Sequence, residues 1–461
     1  MNSSSANVVI CGAGIAGISA AYHLSVRQGI QDVLLVDERP PLTLTSDKST
    51  EAYRNWWPGP GDTMVRFMNR SIDLLERLAE ESDNFFRMNR RGYVFLTADP
   101  GHVSVMEQSA REISRLGAGP LRCHRSDSHD TVYIAGVTEN FDPRLTGADL
   151  VTDQARILRR YPFVSEKAVA MLHVRRCGWL SAQQLGMYLL EQAKAHGAKF
   201  LLGQVTDVRV HNNEIETVYV STERGRTQVS TRHFVIAAGP LLKRVGSLIG
   251  LDFPVFNELH GKVAFNDELG VVPRDAPLMI WNDPLMLPWS QDEHKELDNN
   301  KKTKWLLEPF PGGVHFRPEG GWDSRTLLAI WTYHVEEQEP VWPPHFPPEY
   351  GEVVIRGLSV MIPGLSGAFQ KMGQPYVDGG YYCKTQENRP LVGPLPVKGA
   401  FVIGALSGFG IMACMAAGEL LSLHMAGNEL PEYAPAFLLS RYEDPHYQEL
   451  LAGWDATWGQ L

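Results

Sequence analysis

The amino-terminal pattern opens as a buried strand. Val8-Val9-Ile10-Cys11 is a short, continuous apolar run, as expected of a strand covered on both faces. After a glycine-rich turn, Ile18, Ala21, Tyr22 and Leu24 keep helical spacing as far as Gly29. A second apolar run, Val33-Leu34-Leu35-Val36, predicts another strand that closes on Asp37-Glu38. The polar, Pro-rich stretch over 39–61 then interrupts the alternation of strand and helix. Within Arg66 to Arg91, the run SIDLLERLAEESDNFF predicts an exposed helix. Leu185, Leu189, Leu190 and Ala193 share one helical face ahead of Gly197, and Phe200 to Val210 reads as a strand. Phe234 to Ala238 and Ala400 to Ile403 have the pattern of buried strands, and Ile411 to Leu421 that of a small-residue helix. Between Gly261 and Gly380 apolar and polar residues alternate among aromatics and prolines, which predicts antiparallel strands and turns. The charged segment Gln291 to Lys304 reads as a solvated loop.

The first turn carries chemistry. Gly12, Gly14 and Gly17 form G-x-G-x-x-G between strand and helix. Gly12 permits the tight turn, Gly14 lets a pyrophosphate approach the backbone, and Gly17 allows the helix to pack closely on the sheet. Ile15 and Ala16 open the helix, whose unpaired N–H groups and positive dipole end suit phosphates. Asp37 lies 25 residues beyond Gly12, where a carboxylate accepts from ribose hydroxyls. An acid at that position disfavours a 2′-phosphate and hence NADP. A second glycine-rich turn, Gly404, Gly408 and Gly410, precedes the small-residue helix near the carboxy-terminus. Ala237-Ala238-Gly239 leaves little side-chain bulk where backbone meets a ligand.

Composition narrows the classes. Hydrophobic residues make up 44% and charged residues 21% of 461, the range of a globular chain of two or three domains. The 43 basic and 53 acidic residues leave a net charge of −10, which argues against nucleic acid as a partner. No uninterrupted run of 18 apolar residues is present, so no membrane span is expected. Five scattered cysteines without a CxxC form neither a disulfide framework nor a metal site, and MNSSSAN lacks the pattern of a secretory signal. The expected location is cytoplasmic. Nothing in the chain specifies an oligomeric state.

Four segments, in order, resemble the FAD-dependent D-amino-acid oxidase superfamily, in particular the branch of glycine oxidase, monomeric sarcosine oxidase and dimethylglycine dehydrogenase. They are the G-x-G-x-x-G unit, Gly178 to Val208, His233 to Pro240, and the stretch from ENRPLVGPLP to GFGIMACMAAGELL. The resemblance implies an α/β fold with a discontinuous, Rossmann-like FAD-binding domain and a mostly antiparallel β-sheet substrate domain with flanking helices; composition shifts set the first at 1–100, 165–260 and 380–461 and the second at 101–164 and 261–379. It implies FAD held by the first turn, by Asp37, Glu38 and Arg39, by Lys48, Ser49 and Thr50, and by Val205, Ala238 and Gly239. Ser407, Gly408, Phe409, Gly410, Ile411 and Met412, after Gly404, would face the flavin ring. It also places Cys383 where that branch carries a covalent flavin, and Lys262 near the flavin atom that reacts with oxygen.

The implied reaction is oxidation of a C–N bond in an amine or amino acid, with oxygen or a carrier taking the electrons. Hydride transfer from an unprotonated amine needs positioning and exclusion of water more than a strong base. Trp331, Tyr333, Tyr381 and Tyr382 are candidate aromatic walls, suited to a secondary or N-methylated amine. A substrate carboxylate wants a guanidinium fork, for which Arg317, Arg54 and Lys48 are candidates. The loop reads Lys48-Ser49-Thr50-Glu51-Ala52-Tyr53-Arg54 where sarcosine oxidases have a His-Gly-Asp-Thr-Arg-like run, which argues against sarcosine itself. Two alternatives stay open: an FAD-dependent dehydrogenase of a hydroxy acid or other alcohol, using His260, His315 or His334 as base, and a non-catalytic escort protein on the same fold.

Overall fold

The computed structural model describes residues 2–125, 132–136, 142, 144–369 and 373–454. Its first sheet has six strands in the spatial order Lys199–Leu202, Val33–Asp37, Val8–Cys11, His233–Ile236, Ala400–Gly404 and Leu391–Pro394. The first five run parallel and the last is antiparallel. The period of two along each strand sorts the apolar residues between two layers. Val8, Ile10, Leu35 and Val235 pack on the side of the helices Ile15–Tyr22, Ala182–Ala195 and Gly410–Ala426. Val9, Cys11, Val36, Phe234 and Ile236 pack with Val205, Val208, Val218 and Val220 of a four-stranded layer on the opposite face. That layer contains an unexpected strand, Asn2–Ser5, which runs parallel to Gly225–Ser230 instead of leading straight into Val8–Cys11.

The second sheet has nine strands, from Tyr376–Lys384 and Phe256–Asn266 at one edge to Ala148–Val151 and Leu121–His124 at the other. It is mostly antiparallel. The exceptions are Leu278–Trp281 beside Tyr93–Thr97, and Leu121–His124 beside Ala148–Val151. Helix Tyr350–Met361 buries Val353, Val354, Leu358 and Met361 against it. The domain limits expected from composition shift accordingly. Tyr93–Thr97, expected within 1–100, and Ala170–Val174, expected within 165–260, both belong to this substrate sheet. Phe256–Asn266 and Tyr376–Lys384 cross the expected limits at 260 and 380. Single buried strands carry the chain between sheets, and their apolar composition matches either one.

Two further expectations are corrected. Gln291–Asn299 is a helix, because Ser290 and Glu293 form a reciprocal capping box, and none of its side chains is buried. Thr63–Glu81 is amphipathic and not simply exposed: Phe67, Met68, Ile72, Leu75 and Leu78 are buried, and the helix packs on Gly410–Ala426. Among the described residues one helix, Ser407–Ala426, is long and apolar enough to cross a membrane by length and composition, but 67% of that window is buried inside the protein. Its small residues serve close packing on Ile15–Tyr22: Ser19 donates to the carbonyl of Cys414 at 2.7 Å.

Candidate active site

A cleft of about 1290 Å³, open solvent at its mouth included, runs across the carboxyl ends of the parallel strands. Gly12, Gly14, Ile15 and Ala16 line it on one side, with Ala238 and Gly239 near them. Gly12 has φ +119°, and a Cβ there would drive into the carbonyl of Ala237. Gly17 does not reach the cleft; it lets the helix sit on Gly12 and Ala237. Glu38, Arg39 and Val205 line one end, and Cys383, Gly404, Ser407, Gly408, Gly410 and Ile411 line the other.

The acid end differs in detail from the expectation. One oxygen of Asp37 accepts from the Ala13 N–H at 2.7 Å and the other from the Arg39 N–H at 2.9 Å. Asp37 thus fastens the glycine turn to the strand end, and burial raises its pKa despite those two donors. Glu38, one residue on, offers its carboxylate to the same cleft and accepts from Gln204 at 2.9 Å. At the other end Ala405 (φ 51°) and Ser407 (φ 49°) hold left-handed backbone, a strained turn that delivers the chain to helix Gly410–Ala426. A Cβ on Gly408 would enter the ring of Tyr382. The donor set is therefore a carboxylate at one end, two helix amino-termini, and side-chain-poor backbone between them. It fits a dinucleotide whose second half is a flat ring able to take up negative charge.

A second cavity of about 860 Å³ adjoins the cleft across Ser49, Tyr382, Ser407 and Gly408, which border both. Trp57, Tyr93, Leu278, Ile280 and Ile330 supply apolar walls. Phe409 and Met412, expected against the cofactor, line this pocket instead, as does Thr50. Arg54 is its most unusual member. The side chain is buried, its Nε has no hydrogen-bond partner, and no described carboxylate or carbonyl accepts from the guanidinium. Its guanidinium carbon lies 4.7 Å from the centre of the Trp57 ring. Burial pulls its pKa down to about 10, still far above neutrality. An unpaired buried charge is expensive, so this arrangement asks for an anion.

Glu258, Lys384 and His260 engage one another, and His315 is held at one ring nitrogen. Glu258 accepts from Lys384 at 2.9 Å and from His260 Nε2 at 3.1 Å. Thr332 lies 3.3 Å from His260 Nδ1, and the imidazole stacks on Tyr382 with 3.9 Å between centroids. Burial lowers the His260 pKa, although Glu258 opposes the shift. His315 directs Nδ1 to the carbonyl of Gly313 at 2.9 Å.

Several candidates are not in either cavity. Arg317 is fully buried but already paired: it bonds Glu51 at 3.1 Å, Glu319, and the carbonyls of Thr50 and Pro318. It locks the loop to the sheet and has no fork to spare for a substrate. Lys48 bonds Asp378 at 2.6 Å and Asp47 at 3.3 Å, a bracing arrangement outside the lining of the cofactor cleft. Lys262 donates to the Asp47 carbonyl at 2.9 Å, and burial lowers its pKa. Tyr333 and Trp331 belong to an aromatic cluster with Phe310 and Trp305 in the substrate domain. Tyr381 lines the cofactor cleft, and His334 is exposed. Sequence reasoning missed Tyr93, Trp57, Lys384 and Asn388. Only Asn388 had a signal, its place inside ENRPLVGP.

Fold and cleft together define a flavoprotein built around two large sheets, with a substrate pocket opening onto the dinucleotide site. A family model described as "FAD dependent oxidoreductase" (DAO) matches residues 7–423, and the chain belongs to that family. It is 25% identical over 437 residues to mouse mitochondrial dimethylglycine dehydrogenase, covering 92% of this chain and 43% of that protein. The chain thus spans less than half the length of that curated relative. Among solved structures, L-proline dehydrogenase from P. horikoshii superposes with a TM-score of 0.71 at 19% identity, covering 95% of this chain and 98% of that one. Glycine oxidase from Geobacillus kaustophilus gives 0.70 at 16% identity, covering 96% and 99%.

Proposed function

We propose that the protein oxidises the C–N bond of an amino acid, preferentially one with a secondary or N-methylated amine. Bound FAD supplies a two-electron acceptor at its ring. The product would be an imine that water hydrolyses. The observation that carries this reading is Arg54: an unpaired, buried guanidinium in a pocket that meets the cofactor cleft at Ser49, Tyr382 and Gly408. A substrate carboxylate would neutralise it and fix the rest of the molecule by a two-pronged bond. Trp57, Tyr93, Phe409 and the stacked Tyr382–His260 pair exclude water and tolerate N-methyl groups. The relatives are named for dimethylglycine, proline and glycine, which agrees with a small amino acid.

Oxygen or a carrier would take the electrons, and a reducing, cytosolic compartment suits the free thiols of Cys11, Cys177, Cys383 and Cys414. For the flavin linkage we favour non-covalent binding. Cys383 lines the cleft, but burial pushes its thiol up to about 12, so little thiolate is present to bond a flavin. A second reading, oxidation of a hydroxy acid, draws support from the neutral histidines beside Arg54. Anaerobic bleaching of the purified yellow protein separates the two. Glycine, sarcosine, N,N-dimethylglycine, L-proline, other D- and L-amino acids and lactate would each be offered in turn. Bleaching by amino acids is expected; bleaching by lactate alone would replace the amine reading.

A further inference from the structure

An amino acid enters solution chemistry as an ammonium ion, yet only its neutral amine can release hydride from the neighbouring carbon. The pocket must therefore tolerate the ammonium beside Arg54 or remove its proton. Two part-buried histidines line the pocket, and their hydrogen bonds distinguish them. The Nε2 of His260 faces the carboxylate of Glu258 and so carries the hydrogen; its Nδ1 lone pair is left to Thr332. Both nitrogens of that ring are spoken for. In His315 the partner of Nδ1 is the carbonyl of Gly313, which can only accept, so Nδ1 carries the hydrogen. Its Nε2 then holds a free lone pair, with no hydrogen-bond partner among the described residues.

We propose that His315 is the proton acceptor for the substrate nitrogen, taking one ammonium proton on Nε2 while Arg54 holds the carboxylate. This inference rests on the amino-acid reading of the pocket. The step is a proton transfer alone. An N–H bond of the substrate breaks, its electron pair stays on nitrogen, and an N–H bond forms at Nε2; no oxidant is consumed in it. The strand Val314–Pro318 fixes the ring, because His315 stands between Ile280 and Ile330 in register on the two neighbouring strands. The charged and titratable groups around it are Arg54 from the loop strand, His260 and the Glu258–Lys384 pair from the edge strands, and Tyr93 and Tyr382. Burial, with Arg54 and His260 adding to it, lowers the His315 pKa, so the ring is neutral at physiological pH. Proton acceptance next to a guanidinium becomes favourable once the carboxylate has neutralised that charge, which orders binding before transfer.

The test follows the rate of flavin reduction against pH, without oxygen, in the full-length holoenzyme. The probe is whichever of glycine, sarcosine, N,N-dimethylglycine or L-proline reduces the flavin fastest. The unaltered enzyme should lose rate only on the acid side, below the ordinary histidine range. H315Q should be slower by about 10²-fold at pH 7 and recover towards roughly pH 9 to 10, where the ammonium loses its proton unaided. Acetate, which has no amine, should perturb the flavin spectrum of H315Q at a concentration within about twofold of the unaltered protein, because Arg54 is intact. A pH profile in H315Q that parallels the unaltered enzyme would overturn the proposal. If H315Q fails to retain flavin, H315N and the acid limb of the unaltered enzyme decide it: an unaltered enzyme that shows no loss of rate on the acid side, down to the pH at which it unfolds, overturns it equally. Absence of reduction by every amino acid, in a protein that binds FAD, would sink the amine reading itself and is a separate outcome.

Discussion

The cofactor cleft and the substrate pocket share a border of four residues but are built on opposite plans. The cleft is made from consecutive residues at strand ends, and its contacts are mostly backbone: the turns at Gly12–Ile15, Ala238–Gly239 and Gly404–Gly410. The pocket is made from isolated side chains on many separate strands and loops, including Arg54, Tyr93, His260, His315, Lys384 and Asn388. A backbone-built site depends on the absence of side chains and fails when one is added. A side-chain-built site depends on which partners each charge has, and fails when a pairing changes. The two plans therefore respond to different kinds of substitution.

The largest expected effect is at Gly12. Gly12→Val places a side chain against the Ala237 carbonyl in a backbone conformation valine rarely adopts, so the protein should purify colourless. Flavin absorbance per chain measures this, and a yellow G12V protein with normal affinity would remove the backbone plan for the cleft. Next comes a contrast between two buried arginines. Arg317→Met leaves Glu51 and two carbonyls without their donor, and should cost roughly 3–5 kcal/mol of stability in thermal or denaturant unfolding. Arg54→Met removes a charge that has no partner, so unfolding should be unchanged or harder, while amino-acid affinity falls by about 3 kcal/mol, or roughly 10²-fold. Equal destabilisation of the two variants would show that Arg54 is a structural residue.

Smaller effects sharpen the border between the sites. Acid precipitation should release all the flavin, and Cys383→Ser should keep its FAD affinity within a few-fold; flavin that stays with the pellet would establish a covalent bond. Lys48→Ala should cost under about 1 kcal/mol and leave flavin binding intact, because its partner is Asp378 and the pair is partly solvated. The pH dependence of that pair has a definite sign. Burial pushes the Asp378 pKa up, but its bonds from Lys48 and the Gly379 N–H outweigh this and hold it below the ordinary aspartate value. Its contribution is then complete above that value and is lost as pH falls through the lowered one. Unfolding measured from about pH 5 downward should lose this contribution in the parent and not in K48A. Equal acid sensitivity would assign the effect to other carboxylates.

The same contrast explains which parts were legible in the chain. The cleft could be read because its chemistry is local: Gly12, Gly14, Gly404 and Gly408 mark turns within a few residues of the strands they end. Even there Asp37 and Glu38 exchanged emphasis, since nothing in their order reveals which carboxylate the Ala13 N–H would occupy. Lys48, Arg317 and Tyr333 were reasonable choices by residue type, yet each found a partner well away in the chain, in Asp378, Glu51 and Trp305. Arg54 differs from Arg317 only by lacking such a partner, and a partner's absence is not written in any neighbouring residue.

The sequence by itself determined the dinucleotide turns, the parallel sheet and the mostly antiparallel character of the second sheet, because periodicity and glycine placement act over a few residues. Only the tertiary structure decided which strands join which sheet, which buried charge stays unpaired, and which histidine keeps a free lone pair. Those properties arise from contacts between strands remote along the chain, where hydrogen-bond partners are assigned by register and packing and not by neighbourhood in sequence.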